Sequence, residues 1–234
     1  MLITGFGPFQ DKYPVNPSFE ITRSLPQELP TLASDGTSTN LIAYGTPIRV
    51  CYESVRDLIP KIHESYIDKV DLVLHIGMAS GRSFYTLEQI GHRDGYHKNK
   101  DLDGKTLALD EGLLRFADCP IDMTTSLNYA GVLGRWQTAI LDLAEGTPGF
   151  GADCRPSKDA GNFLCDYIYF NSLAWYGRRS YNVVDGMASD RPVLFLHVPA
   201  ESDERSLAMG RAVTLALIQA MVEELCLSRA NLQA

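Results

Sequence analysis

The chain has no Cys-x-x-Cys pair, and its five cysteines are irregularly spaced: Cys51, Cys119, Cys154, Cys165 and Cys226. Short, regular cysteine spacings are typical of zinc sites and of thioredoxin-like redox sites, so the sequence indicates neither kind of site. We therefore expect no metal and no cofactor. An odd, unpatterned set of thiols also favours a reducing compartment, and we expect a cytoplasmic protein.

Long hydrophobic runs and excess positive charge are missing as well. No apolar run approaches the roughly 20 residues of a membrane span, and residues 1–5 are typical of a first strand, so we expect neither a signal peptide nor membrane association. The formal net charge of -8 argues against nucleic acid as a partner, because a phosphate-binding surface must be basic. With 45% hydrophobic residues, the composition is that of a soluble globular protein.

Strand and helix patterns alternate along the chain without a linker or an internal repeat, which predicts one domain over residues 1–234. Predicted strands cover residues 2–5, 40–50, 71–77 and 84–90, and a further strand lies in the apolar run 193–199. Predicted helices cover residues 18–25 (with Ser18 as N-cap), 52–66, 129–144, 160–176 and 203–227. We expect a surface loop at 31–39 and irregular structure over 93–128. This order predicts an α/β fold, a three-layer α/β/α sandwich with a mostly parallel central sheet.

The segment Ser157–Asp166, SKDAGNFLCD, places Cys165 just inside the predicted start of a helix. Unpaired backbone N–H groups and the positive end of the helix dipole favour a thiolate at such a position. The alternative is a buried packing residue, which is the usual state of a free cysteine. The other four cysteines keep that second interpretation.

The apolar run Val193–Pro199 carries His197 to the end of a predicted strand. A cysteine and a histidine, each at the edge of a regular element, are typical of a cysteine hydrolase. The alternative for His197 is a core histidine whose ring is satisfied by hydrogen bonds, and His75, inside an apolar run, is assigned no other role. His63, His92 and His97 lie among polar residues and are expected to be solvated.

Together with Thr4–Phe9, TGFGPF, these two segments resemble the pyroglutamyl peptidase I family of cysteine peptidases, which remove an N-terminal 5-oxoproline residue. The resemblance extends from residue 2 to about residue 225 and is most specific around Cys165. It implies that Cys165 is the nucleophile and that His197, in a Phe-x-His-Val-Pro context, is the general acid and base. It also implies that Glu88, in Thr86-Leu87-Glu88, orients the histidine, against the alternative of a solvated strand glutamate.

The resemblance further implies a small apolar pocket for the 5-oxoproline ring, with few polar groups to meet its N–H and C=O. The residues implied to form it are Phe6, Phe9, Asn16, Met78, Phe163 and Leu164. The alternatives are hydrophobic packing for the two N-terminal phenylalanines and a turn or helix cap for Asn16.

The expected function is hydrolysis of the N-terminal pyroglutamyl residue of peptides through a thioester acyl-enzyme. Two other functions stay open: non-catalytic binding of pyroglutamyl peptides or another small ligand, and hydrolysis of a different acyl group on the same fold. The segment 177–192, longer than the corresponding family stretch, is either an ordinary surface loop or a segment that shapes access to the site.

Overall fold

Strands and helices alternate from one end of the chain to the other in a computed structural model that describes residues 1–29 and 38–233. The strands are Leu2–Gly5 (β1), Glu28–Leu29 (β2), Thr39–Asn40 (β3), Ile42–Ala43 (β4), Val73–Met78 (β5), Tyr85–Glu88 (β6), Ile90–His92 (β7), Asp122–Thr124 (β8), Cys154–Ser157 (β9) and Val193–Val198 (β10). The helices are Pro17–Ser24 (α1), Tyr52–Tyr66 (α2), Glu111–Arg115 (α3), Tyr129–Leu141 (α4), Leu164–Arg179 (α5) and Glu204–Gln233 (α6). Most of the loop predicted over 31–39 lies outside the described residues.

Six strands form one sheet in the order β4-β1-β5-β10-β6-β9. The pairs β4–β1, β1–β5, β5–β10 and β6–β9 are parallel, and only the contact between β10 and β6 is antiparallel. Two short antiparallel pairs, β2–β3 and β7–β8, stand apart from this sheet. The prediction of a mostly parallel central sheet is confirmed.

Side chains alternate between the two faces of the sheet, and each face carries its own apolar core. Val73, Val193 and Phe195 pack on one face against α2 and α5. Their neighbours Leu74 and Leu194 pack on the other face against α1, α4 and α6. The layers are therefore helix, sheet and helix, as the sequence predicts.

Several predicted boundaries differ from the structure for local reasons. The strand predicted over 40–50 ends at Ala43, because a turn containing Pro47 follows, and only an isolated bridge from Ile48 to Phe6 continues the pairing. The helix predicted from residue 160 begins at Leu164, because Gly161 adopts a φ of 83°, outside the helical range.

Other regions gain structure that the sequence pattern did not predict. The strand predicted over 84–90 divides at Gln89, so that β7 leaves the central sheet and pairs with β8. The region 93–128 is mostly irregular, as expected, but it contains α3 and β8. Strand β9 was not predicted, because its sequence is short, contains proline and shows no alternation of apolar residues.

Helix α6 passes a length and composition test for a membrane span, although the sequence has no continuous apolar run of that length. The helix packs against α4 and α1, and Val213, Leu217 and Met221 are fully buried there. One face of α6 is therefore packed against the rest of the described chain.

A chain of polar side chains crosses the core between the sheet and α5. Thr4 Oγ1 lies 2.7 Å from His75 Nδ1, and Ser172 Oγ lies 2.7 Å from His75 Nε2 and 3.0 Å from His63 Nε2. His75 is the core histidine that the sequence predicts. The prediction that His63 is solvated is wrong: the residue is fully buried, and burial lowers the pKa of its imidazole to about 3.

Candidate active site

His197 and Glu88 lie on β10 and β6, the two strands that form the antiparallel contact in the sheet. His197 on β10 pairs in register with Thr86 on β6, and Phe195 pairs with Glu88. On its other side His197 pairs with Gly77 on β5. Because residues two apart on a strand share a face, His197, Thr86, Glu88 and the open position above Gly77 all face α5.

Glu88 supports His197 from within the protein. His197 Nδ1 lies 2.7 Å from Glu88 Oε1, the glutamate side chain is fully buried, and His197 is only 4% exposed. Burial pushes the pKa of Glu88 up, but the hydrogen bond and positive charge of His197 and the hydrogen bond from Arg82 bring this pKa below its usual value. An ionised Glu88 requires Nδ1 of His197 to be the donor, which leaves Nε2 for proton transfer.

Cys165 lies in the first turn of α5, where the helix meets the sheet. The N-cap, Phe163, offers no side-chain acceptor to the helix, so the first backbone N–H groups of α5 are free to bind a negative oxygen. The sulfur packs against the backbone of Gly77, the register partner of His197 on the neighbouring strand. The candidate nucleophile and the candidate base therefore lie over adjacent strands of the sheet.

The electrostatics of Cys165 reverse the direction predicted from its helix position. Burial raises the pKa of the Cys165 thiol, the charges of Glu88 and Asp166 add to this effect, and only Arg82 acts against it. Without substrate the site therefore favours the neutral thiol. A neutral thiol needs a base to become a nucleophile, and His197 is the base that the geometry provides.

Cys165 and His197 open into one cavity of about 420 Å³, a volume suited to a small organic ligand. Every residue that the family resemblance assigns to the ring pocket lines this cavity: Phe6, Phe9, Asn16, Met78, Phe163 and Leu164. Glu88 does not line it, because it lies behind His197. The sequence did not predict the other lining residues: Val50, Ala79, Ser80, Gly81, Arg82, Ala160 and Gly161.

Aromatic rings form much of the apolar wall. The Phe9 and Phe163 rings lie 5.2 Å apart, centroid to centroid, at an angle of 49°. Phe6 is only 3% exposed and belongs to the core on the α5 side of the sheet. Phe6 thus packs in the core and also borders the cavity, and its part in binding the ring stays a prediction.

Asn16 caps α1, which corrects the prediction that Ser18 is the N-cap. Its Oδ1 accepts hydrogen bonds from Ser18 N at 3.1 Å and Ser18 Oγ at 2.8 Å, and its Nδ2 donates to the Gly7 carbonyl at 2.8 Å. Ser18 in turn fixes the loop at residues 6–9, since its Oγ accepts a hydrogen bond from Phe6 N at 3.0 Å. Asn16 therefore keeps one amide hydrogen for a ligand in the cavity.

A polar cluster beside Cys165 was missed by the sequence reasoning. Asp166, fully buried, accepts hydrogen bonds from His92 N at 3.0 Å and Tyr96 Oη at 3.1 Å, and His92 Nδ1 lies 3.2 Å from its carboxylate. His92 is half-buried and paired, which differs from the solvated state predicted for it. The hydrogen bond to Asp166 raises the pKa of the His92 imidazole.

The segment 177–192 contributes none of the residues that line the cavity. Its first three residues form the C-terminal end of α5, and Cys165 lies at the other end of that helix. Arg191 holds the segment by donating hydrogen bonds to the carbonyls of Thr124 at 3.1 Å, Asp185 at 2.7 Å and Val184 at 2.9 Å. The surface-loop interpretation fits this position, and the structure gives the segment no part in access to the cavity.

Comparison with known proteins agrees with the motifs. A sequence model of the pyroglutamyl peptidase family matches residues 1–224 of this chain. The human protein named pyroglutamyl-peptidase 1 is 30% identical, over 96% of this chain and 88% of the human protein. A protein of Thermosipho africanus named pyrrolidone-carboxylate peptidase is 27% identical, over 85% of this chain and 80% of its own length.

Solved structures share the fold. The pyrrolidone carboxyl peptidase of Pyrococcus furiosus superimposes with a TM-score of 0.73 at 20% identity, over 96% of this chain and 98% of that protein. The pyrrolidone carboxyl peptidase of Thermus thermophilus has a TM-score of 0.64 at 25% identity, over 95% of this chain and 98% of its own. The three-layer architecture is therefore that of known peptidase structures.

Proposed function

Since the chain belongs to the pyroglutamyl peptidase family, we propose that it hydrolyses the N-terminal pyroglutamyl residue of peptides, with Cys165 as nucleophile, His197 as general acid and base, and Glu88 orienting the imidazole. The observation that carries this proposal is the 2.7 Å pair of Glu88 and His197 behind a cavity that also contains Cys165. A carboxylate, an imidazole and a thiol in this order form a cysteine peptidase triad.

The cavity suits the chemistry of the substrate. A pyroglutamyl residue has no charged amine, because its amine is closed into a lactam, and an apolar wall of Phe9 and Phe163 matches its uncharged ring. The lactam N–H and C=O must still be paired, since an unpaired buried polar group costs about 1–3 kcal/mol. Asn16 lines the cavity, and its second Nδ2 hydrogen, the one not donated to Gly7, is a polar group that can pair with the lactam.

The reaction begins with transfer of the Cys165 thiol proton to His197 Nε2 as the sulfur attacks the pyroglutamyl carbonyl carbon. The resulting oxyanion binds to the free N–H groups in the first turn of α5. The imidazolium then protonates the departing peptide amine, the C–N bond breaks, and a thioester remains on the sulfur. His197 next takes a proton from water, the hydroxide attacks the thioester, and 5-oxoproline leaves as the thiol regains its proton.

Two alternatives remain for the experiment to separate: a binder of pyroglutamyl peptides without turnover, and a hydrolase for a different acyl group. We also place the reaction in a reducing, cytoplasmic compartment, because all five cysteines are free thiols in the structure. Pyroglutamyl peptides are the substrates that this proposal implies, without a metal or another cofactor.

The test measures release of aminomethylcoumarin from its pyroglutamyl, prolyl and alanyl amides. Wild-type protein should cleave the pyroglutamyl amide selectively, Cys165→Ala should be inactive, and Cys226→Ala, an exposed cysteine on α6, should match wild type. Circular dichroism verifies that each variant is folded. Turnover that persists in Cys165→Ala contradicts the assignment of the nucleophile, and a preference for prolyl or alanyl amides supports the second alternative.

A further inference from the structure

We propose that Arg82 is a positioning residue of the reaction, whose guanidinium keeps Glu88 ionised and holds the loop before the nucleophile helix in place. This inference rests on the proposed function, because it concerns the same triad. Arg82 carries no periodic or motif signal in the sequence, and it lies in the turn between β5 and β6. Its side chain is 27% exposed and lines the cavity that contains Cys165.

The guanidinium reaches both sides of the site. Arg82 Nη1 donates to Glu88 Oε1 at 2.8 Å and to Thr86 Oγ1 at 2.7 Å, while Nη2 donates to the Asp159 carbonyl at 3.1 Å. Asp159 belongs to the loop that leads into α5. One planar group thus joins the carboxylate behind the histidine to the loop that delivers the cysteine, a role that suits the fixed fork of arginine.

A single oxygen of Glu88 collects the hydrogen bonds. Oε1 accepts from Arg82 Nη1 at 2.8 Å, from Thr86 Oγ1 at 2.9 Å and from His197 Nδ1 at 2.7 Å, whereas Oε2 has no partner among the described residues. Arg82 and His197 are the two cationic groups paired with Glu88 in the described part of the chain. Of these, only Arg82 is charged at every working pH.

The other groups that face Glu88 add no positive charge. Cys165 and Tyr169 on α5 and Tyr129 on α4 are neutral acids at working pH, since burial raises the pKa of all three side chains. Asp166 on α5 is anionic or neutral and is already paired with His92. When His197 is neutral and able to act as a base, Arg82 is therefore the charged partner that remains beside the buried Glu88 carboxylate in the described part of the chain, and it favours the ionised form.

Without Arg82, the pair of Glu88 and His197 should bind its proton more tightly. The imidazolium would then be the sole countercharge of the carboxylate and would no longer be repelled by a nearby guanidinium. His197 would stay protonated to higher pH, so the acid limb of kcat/KM would move to higher pH, by roughly one unit for the loss of one close charge. A residue that only tethers the loop would lower the rate without moving this limb.

The experiment compares Arg82→Met, Arg82→Lys and Thr86→Val with wild type in two measurements. The first is kcat and KM on the pyroglutamyl coumarin amide from pH 5 to pH 9, and the second is the titration of His197 by NMR of the imidazole C–H, assigned with His197→Gln. Arg82→Met should lower kcat by about 100-fold, because loss of its hydrogen bonds misplaces Glu88 and the loop before α5, and it should move both the acid limb and the His197 titration upward. Arg82→Lys should keep both near their wild-type positions. Thr86→Val removes the hydroxyl that accepts from Arg82 and donates to Glu88, but it removes no charge, so it should lower the rate without moving them.

The two measurements separate this inference from the proposed function. A wild-type protein without pyroglutamyl hydrolysis contradicts the proposed function, and the NMR titration still tests Arg82. A folded Arg82→Met protein with the wild-type His197 titration overturns the inference, whatever its activity. If Arg82→Met does not fold, Arg82→Lys decides: a titration moved by a unit or more in that variant contradicts the role of charge.

Discussion

The sulfur of Cys165 lies 2.7 Å from the point where a β-carbon on residue 77 would stand, a distance that real β-carbons essentially never show. Glycine at position 77 is therefore required by the position of the Cys165 side chain and not by a turn. The same β-carbon would lie 2.6 Å from the Phe195 ring. The empty space above one glycine is what allows the start of α5 to approach the sheet beside His197.

Gly77→Ala should therefore displace the sulfur and abolish activity. We expect at least about 100-fold loss of kcat/KM, because a shift of about 1 Å at a reacting atom has such an effect, and a loss of about 1–3 kcal/mol of unfolding free energy from overpacking. The coumarin assay and urea unfolding measure both. Gly134→Ala, at a helical glycine with open space around it, is the matched control and should keep full activity. Wild-type activity in Gly77→Ala would show that the sulfur works from another position.

Alkylation of Cys165 should become faster with rising pH without a plateau in the neutral range. Burial raises the pKa of this thiol, so its small thiolate fraction should grow about tenfold per pH unit. The measurement is the rate of iodoacetamide labelling of the Cys165 peptide by mass spectrometry, from pH 5.5 to pH 9. A fast rate that is already constant at pH 6 would instead indicate a preformed thiolate–imidazolium pair.

Asn16 variants should separate its cap from its part in substrate binding. Asn16→Ala should lose about 1 kcal/mol of unfolding free energy, the usual contribution of a helix cap, and should also raise KM. Asn16→Asp keeps the acceptor for Ser18 but loses the amide N–H, so it should keep more stability than Asn16→Ala while KM rises as much. Urea unfolding and KM on the pyroglutamyl amide are the measurements. A wild-type KM in Asn16→Asp would show that Asn16 caps α1 but does not bind the substrate.

His63 should make the protein sensitive to acid. Its pKa is about 3 in the folded protein and about 6.5 in the unfolded chain, so between these values only the unfolded chain binds the proton. Stability is complete above pH 6.5 and falls as the pH drops, by about 1.4 kcal/mol per pH unit for each such histidine. In urea unfolding from pH 7 to pH 4.5, His63→Gln should show a shallower slope than wild type by that amount. Equal slopes would mean that His63 is protonated in the folded state.

Hydrophobic pattern predicted the parts of the fold that are buried continuously. The apolar run at residues 71–77 became β5, and helical spacing from Val55 to Ile62 fixed the bounds of α2. The same spacing also indicates that His63 is buried, because this residue lies four residues after Ile59 on the buried face of α2. The polar residues around His63 led to the opposite prediction. Strand β9 had no such signal, because an edge strand is stabilised by its neighbour and not by its own pattern.

Motifs predicted residues that line the cavity, whereas the residues that support them are brought there by tertiary structure. Cys165 and His197 are recognisable from short segments, but the contact of Glu88 with His197 depends on the antiparallel pairing of two distant strands. The role of Arg82 is even harder to predict from the sequence. Its partners are brought together by the sheet order and by the loop before α5, neither of which leaves a trace in the residues around position 82.

The chain of hydrogen bonds from Thr4 through His75 to Ser172 sets how far α5 can slide along the sheet. Ser172 lies two helical turns after Cys165, on the same side of the helix, and His75 lies two residues before Gly77 on the same side of β5. A helix displaced lengthwise by one residue would leave several enclosed polar atoms unpaired at once. The hydrogen bond between Ser172 and His75 thus fixes the position of α5 along β5. Residues in the interior, away from the cavity, therefore determine where the Cys165 sulfur stands relative to the His197 imidazole.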